Sequence, residues 1–382
     1  MDAHPTGLNR RIFIVGGSNS ILRNGWTYAL ADALGPDQPI TNLSCGAAST
    51  LMGLFRFLGQ IDQCRPGDVV IWEYALNDQN HCSSGQSWQV LVRYVKWMIR
   101  LCHDHGLLFL PLVLHQRSWH NSTPPTCPYY RALENLFQAA GIKAVSDEPI
   151  IRARIRGGQS IDKIFADPVH LRNGPKLMAA FARDIVAALS GLEPLGPKAL
   201  QASIPQPGAT LTLATDFAAG ETLTFKNSIV NLIGHPIQQS PGLTCKGKLL
   251  GLIVVTGTAR TALELKIGSQ VIGPISTQAF PAHVSKQWIL KQIAVEGQFP
   301  KTPILAEGAI TIRTATPRWR RPYVQNTYVW SPVKPGQNGA ETRPSVVAAL
   351  IETGVPHHYE PPKLLARIKL KLRNTLRRLA NR

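Results

Sequence analysis

No two cysteines of this 382-residue chain are spaced C-x-x-C, and none has a histidine partner at zinc-site spacing. The six present, at positions 45, 64, 82, 102, 127 and 245, fall five to one between the two halves, so the first half cannot pair all of its own. That argues against a disulfide framework and for reduced thiols in a cytoplasmic chain. Long apolar runs are missing as well: none approaches the roughly 20 residues a membrane-spanning helix needs. The start, Met1 to Pro5, lacks the apolar core of a Sec-type signal peptide, and the first apolar run is Ile12 to Val15. There is no internal repeat of fixed period. Acidic residues are few, 23 against 41 Lys and Arg, giving a formal charge of +18. The excess is local, because Lys363 to Arg382 holds eight basic residues and no acid. The remainder is only mildly basic, and no aromatics interleave the tail's charges, so nucleic acid is not an expected partner.

What is present reads as globular. Hydrophobic residues make up 44% and charged residues 17% of a chain long enough for two domains. Arg11 to Val15, Asp68 to Trp72 and Leu107 to Leu114 (broken by Pro111) have the texture of buried strands, with a short one at Lys143 to Val145. Helical spacing runs over Asn24 to Leu34, Ser87 to His103, Tyr129 to Ala140 and Gly174 to Leu189. Alternation of this kind predicts an α/β domain over 1–190, a doubly wound parallel sheet with helices on both faces. Sites in such sheets lie beyond the carboxyl ends of the strands.

A Gly- and Pro-rich stretch, 191–208, reads as a linker. Short β-rich runs then predict an all-β, sandwich-like module over 209–350. They cover Thr210 to Leu213, Glu221 to Phe225, Leu249 to Thr256, Leu263 to Ile267 and Ala309 to Thr314. Residues 317–360 are Pro-rich and read as irregular. Trp288, Trp319, Tyr323, Tyr328 and Trp330 could stack on sugar rings, although core packing is the commoner use of aromatics. The end, 361–382, is predicted as a basic amphipathic helix with Leu365, Ile368, Leu372, Leu376 and Leu379 on one stripe. It suits an anionic membrane surface through 363–382, and a solvated tail or a partner-docked helix is the alternative.

Four separated features carry chemistry. Gly16-Gly17-Ser18-Asn19-Ser20 follows a strand and precedes a helical segment, so it can present Ser18 as a nucleophile. A plain strand-to-helix turn, or one cradling a phosphate, is the bland alternative, and the absence of a following Lys excludes a Walker A loop. Gly46, in Asn42-Leu43-Ser44-Cys45-Gly46, can bring a backbone N–H close to a substrate or simply serve a turn. Asn77, in Ala75-Leu76-Asn77-Asp78, can offer its amide to an oxyanion or close an Asx turn. In Asp167-Pro168-Val169-His170 the Asp can fix the tautomer of an imidazole that takes a proton from a serine. The cluster His103, Asp104 and His105 reads as a helix end rather than a metal site. His115, Trp119 and His120 follow a strand end and are expected to line a substrate crevice.

Taken in order, the four blocks resemble those of the SGNH hydrolase superfamily, the GDSL-like lipases and esterases, over residues 10–190. Ser18, Gly46 and Asn77 fall in its first three blocks, and Asp167 with His170 in the last. Gly17 stands where the family usually has Asp, and Ala75 where it usually has Gly. The resemblance implies a flavodoxin-like three-layer αβα fold. It also implies a Ser18/His170/Asp167 triad, and an oxyanion hole from the Ser18 and Gly46 N–H groups and the Asn77 side chain, without metal or other cofactor. The function expected is a serine-dependent esterase removing acyl (acetyl) groups from a carbohydrate or similar small ester. O-acetyltransfer by the same residues, and a non-catalytic polysaccharide- or membrane-binding protein, stay open at this point. The expected location is cytoplasmic, with the tail reaching the inner membrane face.

Overall fold

The computed structural model describes residues 10–121, 128–218, 220–227, 230–256, 262–268, 270–277, 288–295, 305–315 and 343–354. In the first half β1 (Ile12–Gly16) leads through a short 3-10 turn (Ser18–Ser20) to α1 (Trp26–Leu34), and β2 (Ile40–Asn42) precedes α2 (Thr50–Leu58). β3 (Val69–Glu73) is followed by α3 (Ala75–Ser83) and α4 (Trp88–Asp104), and β4 (Leu108–Val113) by α5 (Arg117–His120) and α6 (Tyr129–Ala140). β5 (Val145–Ser146), α7 (Glu148–Arg156) and α8 (Pro175–Ser190) complete this half. The five strands pair in parallel in the order β2-β1-β3-β4-β5. This is the flavodoxin-like doubly wound order. The pairing follows from composition, since β1 and β3 are buried at every position, which only a sheet covered on both faces allows.

Two cores flank the sheet. On one face Ile12, Ile14, Val69, Ile71, Leu108 and Leu110 pack with α1 and α8 through Trp26, Leu30, Phe181 and Ile185. On the other, Phe13, Val15, Val70, Trp72 and Phe109 meet α2, α4 and α6. Pro111 does not interrupt β4. It sits opposite Trp72 while the β5 ladder begins at Leu112, a ladder edge of the kind that tolerates a residue with no N–H.

The stretch read as a linker contains α9 (Pro197–Ala202), whose Ala199 is buried in the core of the first half. Arg100 on α4 donates to the Ile204 carbonyl at 2.5 Å and the Gln206 carbonyl at 3.2 Å, fastening this segment down.

Among the described residues nine antiparallel strands follow: β6 (Thr210–Ala214), β7 (Leu223–Lys226), β8 (Asn231–Pro236), β9 (Gly242–Thr256), β10 (Ala262–Ile267), β11 (Gln270–Ser276), β12 (Ile289–Ala294), β13 (Leu305–Thr314) and β14 (Ser345–Thr353). They are linked in the order β11-β10-β13-β9-β14-β8-β7, with β12 beside β9 and β6 beside β14. β14 lies within residues that the sequence reads as irregular, yet it is central and buried along almost its whole length. Both faces of β9 and β14 are covered. Leu249, Leu252, Val254, Val346 and Ala349 build the module's own core, while Leu250, Ile253, Val255, Val347 and Leu350 join the core of α2 and α4. α2 is thereby sandwiched, with seven of its nine residues buried. Gln292 on β12 accepts from the Ser49 and Met52 N–H groups, each at 3.1 Å, and donates to Ser49 Oγ at 2.8 Å. Arg93 pairs with the buried Glu352 across the same boundary.

Cys45, Cys64 and Cys102 are free, but Cys82 is disulfide-bonded. The expectation of six reduced thiols is corrected on this point: an odd count in one half forces a leftover, and does not forbid a pair. The cytoplasmic expectation loses the cysteine argument that supported it. Trp288 packs edge-on against Phe225 at 5.6 Å. Trp319, Tyr323, Tyr328, Trp330 and the tail helix of 361–382 lie outside the described residues. Among the described residues no helix is long and apolar enough to cross a membrane.

Candidate active site

Ser18 opens the turn after β1, half-buried, at the carboxyl edge of the sheet. Its Oγ lies 2.8 Å from His170 Nε2, and His170 Nδ1 lies 2.6 Å from Asp167 Oδ2. The other Asp167 oxygen accepts from the Val169 and His170 N–H groups, each at 2.8 Å. Both carboxylate oxygens are thus occupied, which fixes the imidazole's orientation and places its proton on Nδ1. Burial alone would raise the Asp167 pKa. The hydrogen bonds from His170 and the two backbone N–H groups outweigh it and hold the carboxyl below its ordinary value.

The loop carrying the histidine is itself held. Phe165 bridges Leu171, and the Ala166 N–H bonds the His170 carbonyl at 2.8 Å. Asn19, beside Ser18, donates to the Val169 carbonyl at 3.0 Å and accepts from the Leu171 N–H at 3.2 Å. One amide therefore clamps the backbone on both sides of His170 and sets its distance from the serine. The sequence reading quotes Asn19 within the GGSNS turn and gives it no part; its partners stand 150 residues away, and only the fold supplies them.

Gly46 lies against Ser18, such that a Cβ built on it would stand 3.4 Å from Ser18 Cβ. Neither the Ser18 nor the Gly46 N–H has a hydrogen-bond partner among the described residues. Asn77, buried in the first turn of α3, lies against Gly17, where a Cβ would come within 2.1 Å of Asn77 Oδ1. Gly17 has extended backbone angles (φ −87°) that any residue can adopt. Glycine is required there for space, since Asn77 occupies the room of a side chain. The departure from Gly-Asp-Ser at position 17 has this physical counterpart.

Beneath the turn lies a carboxyl just past the strand Asp68 to Trp72 read from the sequence, which gives it no part. Glu73, fully buried, accepts from Ser20 Oγ at 2.6 Å and the Gly17 N–H at 3.1 Å. Burial pushes its pKa up to about 8, against the opposing pull of those two hydrogen bonds. At neutral pH it is mostly protonated. Asp78, next to Asn77, is raised to about 7 by burial and accepts from the Thr50 N–H, Thr50 Oγ1 and Tyr129 Oη, joining α3 to α2 and α6.

His115, Trp119 and His120 are placed differently from the expected crevice. His115 and Trp119 line a cavity of about 290 Å³ with Tyr130, Phe137 and Glu148, and Ser18, Asp167 and His170 are not among its walls. A larger groove of about 930 Å³ runs between α1 and α8 and is likewise apart from the triad. His103 lies 3.3 Å from its neighbour Asp104, which pairs with Arg100 at 2.6 Å.

No family model matches the chain, and no curated protein matches it. Solved structures do resemble it. A Bacillus subtilis protein is similar at 17% identity and TM-score 0.39 over 48% of this chain, which spans only 57% of that protein's length. A member of the lipolytic protein G-D-S-L family from Veillonella parvula is similar at 17% identity and TM-score 0.38, over 47% of this chain and 98% of that one. The catalytic domain of a peptidoglycan O-acetyltransferase from Streptococcus pneumoniae is similar at 14% identity and TM-score 0.33, over 49% and 98% respectively.

Proposed function

We propose that the chain is a serine-dependent carboxylic ester hydrolase of the SGNH type, acting on an acylated carbohydrate or similar small ester. The observation that carries this reading is the continuous line of hydrogen bonds from Ser18 Oγ through His170 to Asp167 Oδ2, at 2.8 and 2.6 Å. Residues 152 positions apart are held there at the distance proton transfer requires.

In this mechanism His170 Nε2 takes the Ser18 proton as Oγ attacks the ester carbonyl, and Asp167 stabilises the imidazolium that forms. The carbonyl π electrons move onto oxygen, which the Ser18 N–H, Gly46 N–H and Asn77 side chain receive. Each such donor contributes about 3–4 kcal/mol to the transition state. Collapse expels the alcohol, which leaves with the proton from His170. Water, deprotonated by the same nitrogen, then releases the acid and frees Ser18. A sugar hydroxyl in place of that water would give acyl transfer.

Turnover of p-nitrophenyl acetate by the full chain, compared with Ser18→Ala, tests the reading. We expect loss of turnover in a variant that melts as the wild type does; unchanged turnover would overturn it. Product analysis with and without a sugar acceptor distinguishes hydrolysis from transfer.

A further inference from the structure

Three polar side chains that the triad does not use converge near the ends of β4 and β5. His115 follows β4, His120 closes α5, and Asp147 stands between β5 and α7. One potential ligand atom from each lies within 4.8 Å of the other two. His115 Nδ1 is 2.5 Å from Asp147 Oδ1, and His120 Nε2 is 3.8 Å from Asp147 Oδ2. All three side chains are shielded from solvent, at 6%, 0% and 0% exposure for His115, His120 and Asp147.

His120 is the informative member. Its ring is sealed from water, yet neither nitrogen has a hydrogen-bond partner among the described residues. A buried imidazole satisfies at least one nitrogen in most proteins, because an unmet polar atom costs its full desolvation. Here an Asp147 oxygen stands 3.8 Å from His120 Nε2, beyond hydrogen-bond reach, and the ring stands edge-on to His115 with centroids 6.0 Å apart. The gap between the two groups is of the size that an ion held at about 2.0–2.1 Å from each would close with a small rotation of the rings.

We infer that His115, His120 and Asp147 form a binding site for one divalent transition-metal ion of the zinc class. Two imidazoles and a carboxylate suit zinc and its neighbours, and poorly suit magnesium or calcium, which seek oxygen-only sets. On binding, the Nδ1 proton of His115 moves to Nε2, Nδ1 becomes a ligand, and Asp147 exchanges a hydrogen bond for the metal. His115 also lines the cavity of about 290 Å³. Trp119, stacked on His115 at 4.7 Å, and Phe165, 5.7 Å from His120, hold the rings in place. The ion would fasten α5 to the start of α7, and α5 also touches the catalytic loop, since the Arg117 N–H bonds the Pro168 carbonyl at 3.0 Å.

The test is calorimetric titration of the chelator-stripped full chain with Zn²⁺, beside His120→Phe and Ser18→Ala. His120→Phe keeps a ring against Phe165 and removes both nitrogens. We expect one zinc per chain, a melting temperature that climbs with zinc concentration, and affinity lower by about 100-fold or more in His120→Phe. Ser18→Ala should bind as wild type does, so failure of the esterase reading would leave this result standing. No uptake by the folded wild-type chain, or equal affinity in His120→Phe, would overturn the inference. Should His120→Phe not fold, Co²⁺ on the unaltered chain decides: intense visible bands of four- or five-coordinate cobalt support the site, and the weak spectrum of solvated cobalt refutes it.

Discussion

Replacing Glu73 by Gln should change how stability depends on pH, in a direction the structure dictates. The carboxyl is sealed beneath the nucleophile turn, and burial lifts its pKa from 4.5 to about 8. The unfolded chain releases this proton near 4.5, whereas the folded chain keeps it until about pH 8. Between those values the folded state binds the extra proton, so stability falls as pH rises, and it is level outside the window. A span of about 3.5 pH units at ~1.4 kcal/mol each sets a ceiling on the order of 5 kcal/mol, and relaxation around an ionised carboxyl will lower it to roughly 2–5 kcal/mol. Gln has the same shape and no proton to lose, so the stability of wild type minus that of Glu73→Gln should decline by this amount from pH 4.5 to 8. Taking the difference removes the contribution of Asp78, which has the same sign. Urea unfolding of both proteins at four pH values across the window measures it. A flat difference, or one that rises with pH, would refute the assignment of Glu73 as a buried neutral acid.

Three further outcomes are expected. Asp167→Asn should lower kcat by about 10²- to 10⁴-fold with little change in melting temperature, because the imidazole loses its orientation and counter-charge; steady-state kinetics check it. Gly17→Ala places a Cβ where Asn77 Oδ1 now lies, at 2.1 Å, and should cost about 10²- to 10³-fold in kcat by displacing an oxyanion donor, with KM less affected. Gly251→Val sets a side chain against Leu51 Cδ2 at 2.7 Å and the Ile293 carbonyl at 2.8 Å, and should destabilise by about 1–3 kcal/mol, read from urea unfolding. A neutral result there would contradict the direct packing of β9 on α2.

The sequence disclosed those parts whose physics is local. α6 announces itself because it has one buried and one solvated face, and α4 because its polar residues Arg93, Lys96, Arg100 and His103 recur at helical spacing although 11 of its 17 residues are buried. α2 does not: pressed between the sheet and the β module it is apolar nearly all round, and no period remains to read. β14 was hidden for a related reason. Both its faces are covered, so it shows no alternation, and it lies within a Pro-rich stretch that reads as irregular. In the candidate site, Ser18 and Asn77 after strands and Asp167 with His170 before α8 are legible as candidates from motif and order. Asn19 and Glu73 were not, because their partners lie 150 and 56 residues away and only the sheet order brings them together. Asp147 was missed in the same way: nothing in its local sequence links it to His115 and His120.

The central claim is that Ser18 forms a covalent acyl intermediate. Acid-quenched intact-mass and peptide analysis after brief exposure to p-nitrophenyl acetate tests it most directly, with His170→Ala and Ser18→Ala alongside. The account predicts a single acetyl group on the peptide containing Ser18 in the wild type, and none in either variant. An acetyl group that persists in Ser18→Ala at the same stoichiometry, or turnover with Ser18 unmodified throughout, would contradict it.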